Sequence, residues 1–396
     1  MSATAFGERL LSEVHTERLD ELLKDLRTSE DHTHPGPSSL GVRKLDELLD
    51  VFLGCHRHEQ TLREQQGLRS QKCRLPVLEI SSPSSGAGKS QLLYYMAAKA
   101  VLPFSHHGIR LDGCGSAVVL LDTDARFDAA RLRAVASGVV QWKRSQAEDE
   151  RDLALEHADF GLDCLLQDAL QHVHVFRPQS SSALLATLQN LDAYLLDLTR
   201  HRSAARPLHA ILLDSASAFF WPDRLRDEVA RTEEIGCPSA EIERDRQQQR
   251  SFHLVVLYRE LVEELLRLQA RFDCVVIYTT WGVSPAYNHQ GLPSFKPHLP
   301  GLWKTFPVLR VVVQRDSVQA FGPETTVADA ERDAFTRQTV VLQGKFSVWV
   351  DPWGQEDWPP PIVSALDWSG GCCSFAFEVT REGVFLGSDA GAAGSK

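Results

Sequence analysis

One segment, VLEISSPSSGAGKSQLLYYMAAKAV from Val77 to Val101, constrains this chain more than any other. The apolar run through Ile80 reads as a buried strand. Ser81 to Gly88 reads as a loop of small residues, and Gln91 to Val101 as a helix. Strand, small-residue loop, Lys-Ser and helix is the layout of a phosphate-binding P-loop. In it the backbone N–H groups of Ser84, Ser85, Gly86, Ala87 and Gly88 face phosphate oxygens, and the helix offers its positive end. Lys89 reaches the β- and γ-phosphates, and Ser90 supplies a hydroxyl to Mg²⁺. Gly86 and Gly88 leave room for close backbone approach. The expected ligand is ATP with Mg²⁺. The first glycine of the usual pattern is replaced by Pro83, which offers no N–H. A Ser/Gly linker that merely precedes a lysine is the bland alternative, and the flanking strand and helix argue against it.

A second strand, His209 to Leu213, runs into Asp214 and Ser215. An apolar strand ending in Asp is how a P-loop protein steadies Mg²⁺, so Ser90 and Asp214 are the expected metal-side pair. A third, VVLLDTDARFDAARL, ends in Asp122, Thr123 and Asp124 ahead of a helix. Asp124 is the candidate catalytic base. Capping of the helix by Asp122 or Asp124 is the competing reading.

From Pro76 onward, short strands alternate with helices. The strands are Val77–Ile80, Ala117–Leu121, Val173–Phe176, Ala210–Leu213, Cys274–Thr279, Leu309–Val313, Val340–Leu342, Phe346–Val350 and Phe375–Val379. The helices are Gln91–Val101, Ala129–Val140, Ala183–Leu198 and Phe252–Phe272. Nearly continuous apolar strands predict an α/β fold with a mostly parallel sheet covered on both faces. The close spacing of the late strands adds a C-terminal antiparallel extension. Lys143–Arg151, Pro222–Arg250 and Ser284–Pro300 read as loops, the second partly helical. Residues 1–75 form a helical front section and linker, with leucines at helical spacing from Leu10 to Leu26 and a second helix from Leu40 to Leu53. Residues 76–386 form the core, and 387–396 a flexible tail.

Composition narrows the function classes. The chain has 396 residues, and 42 Lys+Arg against 53 Asp+Glu give a formal charge of −11. Binding of naked DNA through bulk charge is disfavoured, because neutralising phosphate needs a cationic surface. Eight cysteines without a C-x-x-C pair indicate a reducing compartment rather than a disulfide framework. Met1–Asp20 lacks an apolar signal core, and no 18-residue apolar run exists, so a soluble intracellular protein is expected.

The motifs together resemble the RecA-like recombinases of eukaryotes and, among them, the recombinase paralogues. The resemblance rests on LLDTDARFDAARL, VFRPQSSSALLATLQNLDAYL and ILLDSASAFFWPDRL, and thins after Pro285. It implies a RecA-like P-loop ATPase core without the helical DNA-binding domain that full recombinases carry in front. It also implies a nuclear role in double-strand break repair by homologous recombination. The chain would join other recombinase paralogues in a complex that promotes or stabilises the recombinase filament on single-stranded DNA. Arg131 then faces the adenine, and Asp124 stands where the family has Glu, one methylene shorter. At the end of the fifth strand the family has a Gln that senses the γ-phosphate; here Thr279 and Thr280 lead into Trp281. An indole has one donor and no acceptor. Pro83, Asp124 and Trp281 together predict nucleotide binding with weak or absent DNA-dependent hydrolysis.

Other features carry less. Phe127-x-x-Ala130 matches a recombinase docking motif but sits where a Phe is usually buried. Cys55, His56 and His58 lack a fourth donor for a metal. His172 and His174 read as packing or surface residues, and Cys372 and Cys373 as one thiol inside and one outside. Lys296, Lys304, Arg310 and Arg315 interleave with Phe295, Trp303 and Phe306, a pattern that suits either stacking on single-stranded DNA or an ordinary sheet edge. Two further functions compete: a small-molecule kinase using arginines of the 222–250 segment, including Arg224, Arg226 and Arg231, and a structural adaptor with a vestigial site.

Overall fold

The computed structural model describes residues 40–65, 75–151, 160–235, 238, 252–283, 285–287, 293–316, 321–322, 324–342, 344–353, 358–368 and 375–386. The Leu10–Leu26 helix, Cys372, Cys373 and the 387–396 tail lie outside these residues.

Thirteen strands are described: β1 (Val77–Ser82), β2 (Ser105–His106), β3 (Ile109–Arg110), β4 (Ala117–Asp122), β5 (Val173–Phe176), β6 (Leu208–Asp214), β7 (Val275–Trp281), β8 (Pro285–Tyr287), β9 (Pro293–Phe295), β10 (Leu309–Arg315), β11 (Lys345–Val350), β12 (Phe375–Val379) and β13 (Val384–Leu386). Nine form one sheet in the order β13-β12-β11-β10-β1-β7-β6-β4-β5. The six from β10 to β5 run parallel, and β11, β12 and β13 add antiparallel. The predicted fold class is borne out, including the antiparallel C-terminal edge.

Alternation along each central strand explains why apolar residues point to both of its faces. Leu78, Val118, Leu120, Leu212 and Ile277 join one core, while Val77, Val119, Leu121, Ile211 and Val276 join the other. Helices α1 (Arg43–Gln65), α2 (Lys89–Val101), α3 (Ala129–Arg151) and α4 (Leu162–Leu170) supply the first core's cover. Helices α5 (Ser181–Leu196), α6 (Phe220–Glu233) and α7 (Leu254–Phe272) cover the opposite face. A parallel sheet needs both layers. Leu45, Leu49 and Phe52 of α1 lie buried in the same hydrophobic core as Leu92 and Leu93 of α2, so this front helix shares the core of the sheet.

Three local readings are corrected. Val340–Leu342 is the last turn of helix α8 (Val327–Leu342), which stops before Gly344 at φ +56°. Two β-branched valines and a leucine cannot overrule the helix formers that precede them. Lys143–Arg151 continues α3 instead of looping. Its Lys, Arg, Gln, Ala and Glu favour helix, and neither Gly nor Pro interrupts it. The start of the 222–250 segment is helical, as expected, with Pro222 in the first turn of α6, where a missing N–H costs nothing. The Ser284–Pro300 segment contains the β8–β9 hairpin, and helix α9 (Pro360–Trp368) follows β11. Among the described residues no helix is long and apolar enough to cross a membrane.

Candidate functional site

The carboxyl ends of β1, β4, β6 and β7 meet at one edge of the sheet. After β1 the loop turns through Gly86 (φ +74°) and Gly88 (φ +94°), backbone that favours glycine, and α2 starts at Lys89. Ser84, Ser85 and Gly86 are exposed at the loop's outer side, while Ala87 and Gly88 are buried beneath it. The Ser82 hydroxyl donates to the Ser84 carbonyl at 2.9 Å, bracing the turn that Pro83 opens.

Across the loop, Ser90 Oγ donates to Asp214 Oδ2 at 2.6 Å. Thr279 Oγ1 donates to Asp214 Oδ1, also at 2.6 Å, so neighbouring strand β7 fixes that carboxylate. The Asp214–Ser215 peptide bond is cis. Ser215 N donates to Thr123 Oγ1 at 2.6 Å, and that hydroxyl donates to the Ser215 carbonyl at 2.7 Å. These bonds lock the ends of β4 and β6 together.

Lys89 Nζ donates to Ser82 Oγ and lies over the Trp281 ring, 5.1 Å from its centroid. Burial lowers its pKa, partly opposed by the charges of Asp214 and Asp124. Asp124 is half-buried at the same edge; burial raises its pKa, and the Asp214 charge adds to the rise. Asp122 does something different. Its carboxylate accepts from Arg126 N (2.9 Å), Phe127 N (3.0 Å) and Arg177 Nε (3.0 Å), holding the turn after β4. Asp128, which sequence reading passed over, caps α3 by accepting from Ala130 N and Arg131 N. Asp124 is therefore left free of the capping work.

Arg131 sits beside the loop, donating to Gln91 Oε1 at 2.7 Å and to the carbonyls of Arg381 (3.0 Å) and Gly383 (3.2 Å). The β12–β13 turn is thereby part of the site's wall, a contribution with no local motif to announce it.

Several candidates do not join. Phe127 packs edge-on against Tyr94, ring centroids 5.7 Å apart, among core residues. Phe295, Trp303 and Phe306 are buried and Arg310 pairs with Glu79 at 2.9 Å, so the rings belong to the core and offer no stacking platform, while Lys296, Lys304 and Arg315 stay exposed. His172 and His174 share the Ser203 hydroxyl at 2.9 and 2.8 Å in a buried cluster by α5. Cys55, His56 and His58 fall within the range of α1. No metal-binding group of three or more His, Cys, Asp or Glu occurs among the described residues.

A parallel sheet ordered around β1, with the cradle after β1 and the acid after β6, defines a RecA-like core. The chain is similar to DNA repair protein XRCC2 of Mus musculus, 29% identical over 150 residues that cover 38% of this chain and 42% of the mouse protein. It is likewise similar to the XRCC2 homolog of Arabidopsis thaliana, 22% identical over 279 residues, 61% of this chain and 69% of that one. DNA repair and recombination protein RadA of Methanoculleus marisnigri is 27% identical over 135 residues, 34% of each chain. The chain thus spans less than half of the mouse relative. No family model matches it.

Proposed function

We propose that this chain is an ATP-binding recombinase paralogue acting in DNA double-strand break repair by homologous recombination. It serves as an assembly subunit of a nuclear paralogue complex that promotes or stabilises the recombinase filament on single-stranded DNA. The similarity to XRCC2 and RadA supports the repair and recombination role. Residues 76–386 are the ATPase core in this reading, 1–75 a front section and 387–396 a tail.

The observation that carries the nucleotide site is the 2.6 Å bond between Ser90 Oγ and Asp214 Oδ2 beside Lys89. Mg²⁺ takes few protein oxygens, completing its shell with water and phosphate, and this hydroxyl–carboxylate pair fits that demand. The bound ion would neutralise phosphate charge. Ser84, Ser85, Gly86, Ala87 and Gly88 hold the phosphates through backbone N–H groups, Lys89 pairs with them, and Arg131 borders the base. Asp124 orients the attacking water. Its short reach, with Trp281 at the end of β7, keeps hydrolysis weak.

The kinase reading loses support. Arg224, Arg226 and Arg231 are each paired within α6, to Glu228, Asp223 and Asp227, rather than forming a lid. Nucleotide binding by the purified chain, abolished in Lys89→Ala, separates the proposal from a vestigial adaptor. Co-purification with recombinase paralogues, with and without nucleotide, tests the assembly role. Failure to associate with any of them overturns it.

A further inference from the structure

We infer that Trp281 sets the nucleotide preference of this cradle, favouring a nucleoside diphosphate over a triphosphate. The inference rests on the nucleotide-site reading above and adds a selectivity to it.

Three contacts fix the indole's place. Trp281 pairs in register with Ser82, the last residue of β1 before the phosphate loop. Its backbone N donates to Ser217 Oγ at 3.1 Å, tying it to the segment that follows Asp214. Gly282 N donates to the Ser82 carbonyl at 2.8 Å. The backbone at the end of β7 is thus pinned on both sides, and the ring stands beside Lys89.

The ring presents its face to the lysine, as the 5.1 Å separation of Nζ from the centroid shows. An aromatic face carries the negative part of the ring's quadrupole. It attracts the ammonium and repels phosphate oxygens. A β-phosphate seated in the loop has the backbone N–H groups of Ser84 to Gly88 besides Lys89, so it leans less on the ammonium that Trp281 holds. A γ-phosphate extends beyond them. It must draw Lys89 off the ring and press charged oxygens against an apolar surface that offers no ammonium or amide in return. Only one indole edge atom, Nε1, is a donor. The penalty therefore falls on the third phosphate.

The test is calorimetric titration of the full chain with ADP and, separately, a non-hydrolysable ATP analogue, both with Mg²⁺. The same titrations are made with Trp281→Gln and Trp281→Met, the second keeping apolar bulk without a π face. In the unaltered chain ADP should bind more tightly. Both variants should narrow the ratio of the two dissociation constants by about 3- to 30-fold, the range a cation–π contact supplies. ADP affinity should stay within about twofold. An unchanged ratio in both folded variants overturns the inference and leaves the nucleotide site standing. Absence of binding by either nucleotide to all three folded proteins overturns both.

Discussion

Gly88 stands directly over Phe346: a Cβ added at Gly88 would lie 2.8 Å from the ring's Cδ1 and 3.0 Å from Cζ of Phe377. The two rings are stacked, 5.1 Å between centroids, and form the floor of the phosphate loop. With φ at +94° as well, Gly88→Ala meets strain from backbone and packing together. It should destabilise the chain by roughly 1–3 kcal/mol and lose nucleotide binding. Denaturant midpoints and calorimetry check both effects.

Asp214→Asn keeps a group that can accept from Thr279 but removes the charge that draws Mg²⁺. Nucleotide affinity in the unaltered chain should fall roughly 10-fold or more on chelation with EDTA, and in Asp214→Asn it should become insensitive to the ion. Affinities measured with and without Mg²⁺ decide this.

Asp124→Glu restores one methylene of reach toward the site. If reach limits hydrolysis, the residual ATPase rate should rise in a steady-state phosphate-release assay. An unchanged rate shifts the limitation to Trp281 or Pro83.

Glu79 accepts from Tyr278 Oη (3.1 Å), Thr280 Oγ1 (2.8 Å) and Arg310 Nε (2.9 Å) in a buried network beneath the loop strand. Glu79→Gln leaves the Arg310 charge uncompensated. Stability should drop by roughly 3 kcal/mol, read from urea unfolding, while Glu79→Gln with Arg310→Met should recover part of it.

Burial, with smaller contributions from His201 and His172, pushes His174 down to about 4. His172 is lowered too, chiefly by burial and then by Arg206. Both rings are neutral in the fold and gain protons near 6.5 once unfolded. Stability is therefore full above about pH 6.5 and declines as pH falls toward about 4. The loss attributable to His174 should be on the order of 2 kcal/mol, and His174→Gln should flatten the profile between those limits.

The parallel strands were legible because apolar residues dominate both faces of most of them, and the strand–loop–helix of Val77–Val101 because its residues are contiguous. What contiguity could not disclose came from distant segments. Thr279 grips Asp214 from 65 positions away, and the carbonyls of Arg381 and Gly383 hold Arg131 from 250 and 252 away. Nothing in either local sequence marks the pairing. For the interleaved cations and rings around Phe295 to Arg315 the sequence left two readings open, a stacking surface or ordinary packing, and the burial of Phe295, Trp303 and Phe306 decides for packing. Asp122 and Asp124 looked interchangeable as caps, and only hydrogen-bond geometry assigned the turn to Asp122 and the cap to Asp128.

The C-terminal hairpin reaches back to the beginning of the fold. Phe377 lies beneath Gly88, and the turn that follows holds Arg131. A premature stop codon ahead of Phe375 would therefore spare every P-loop motif residue and still take away half of the aromatic support on which the loop rests.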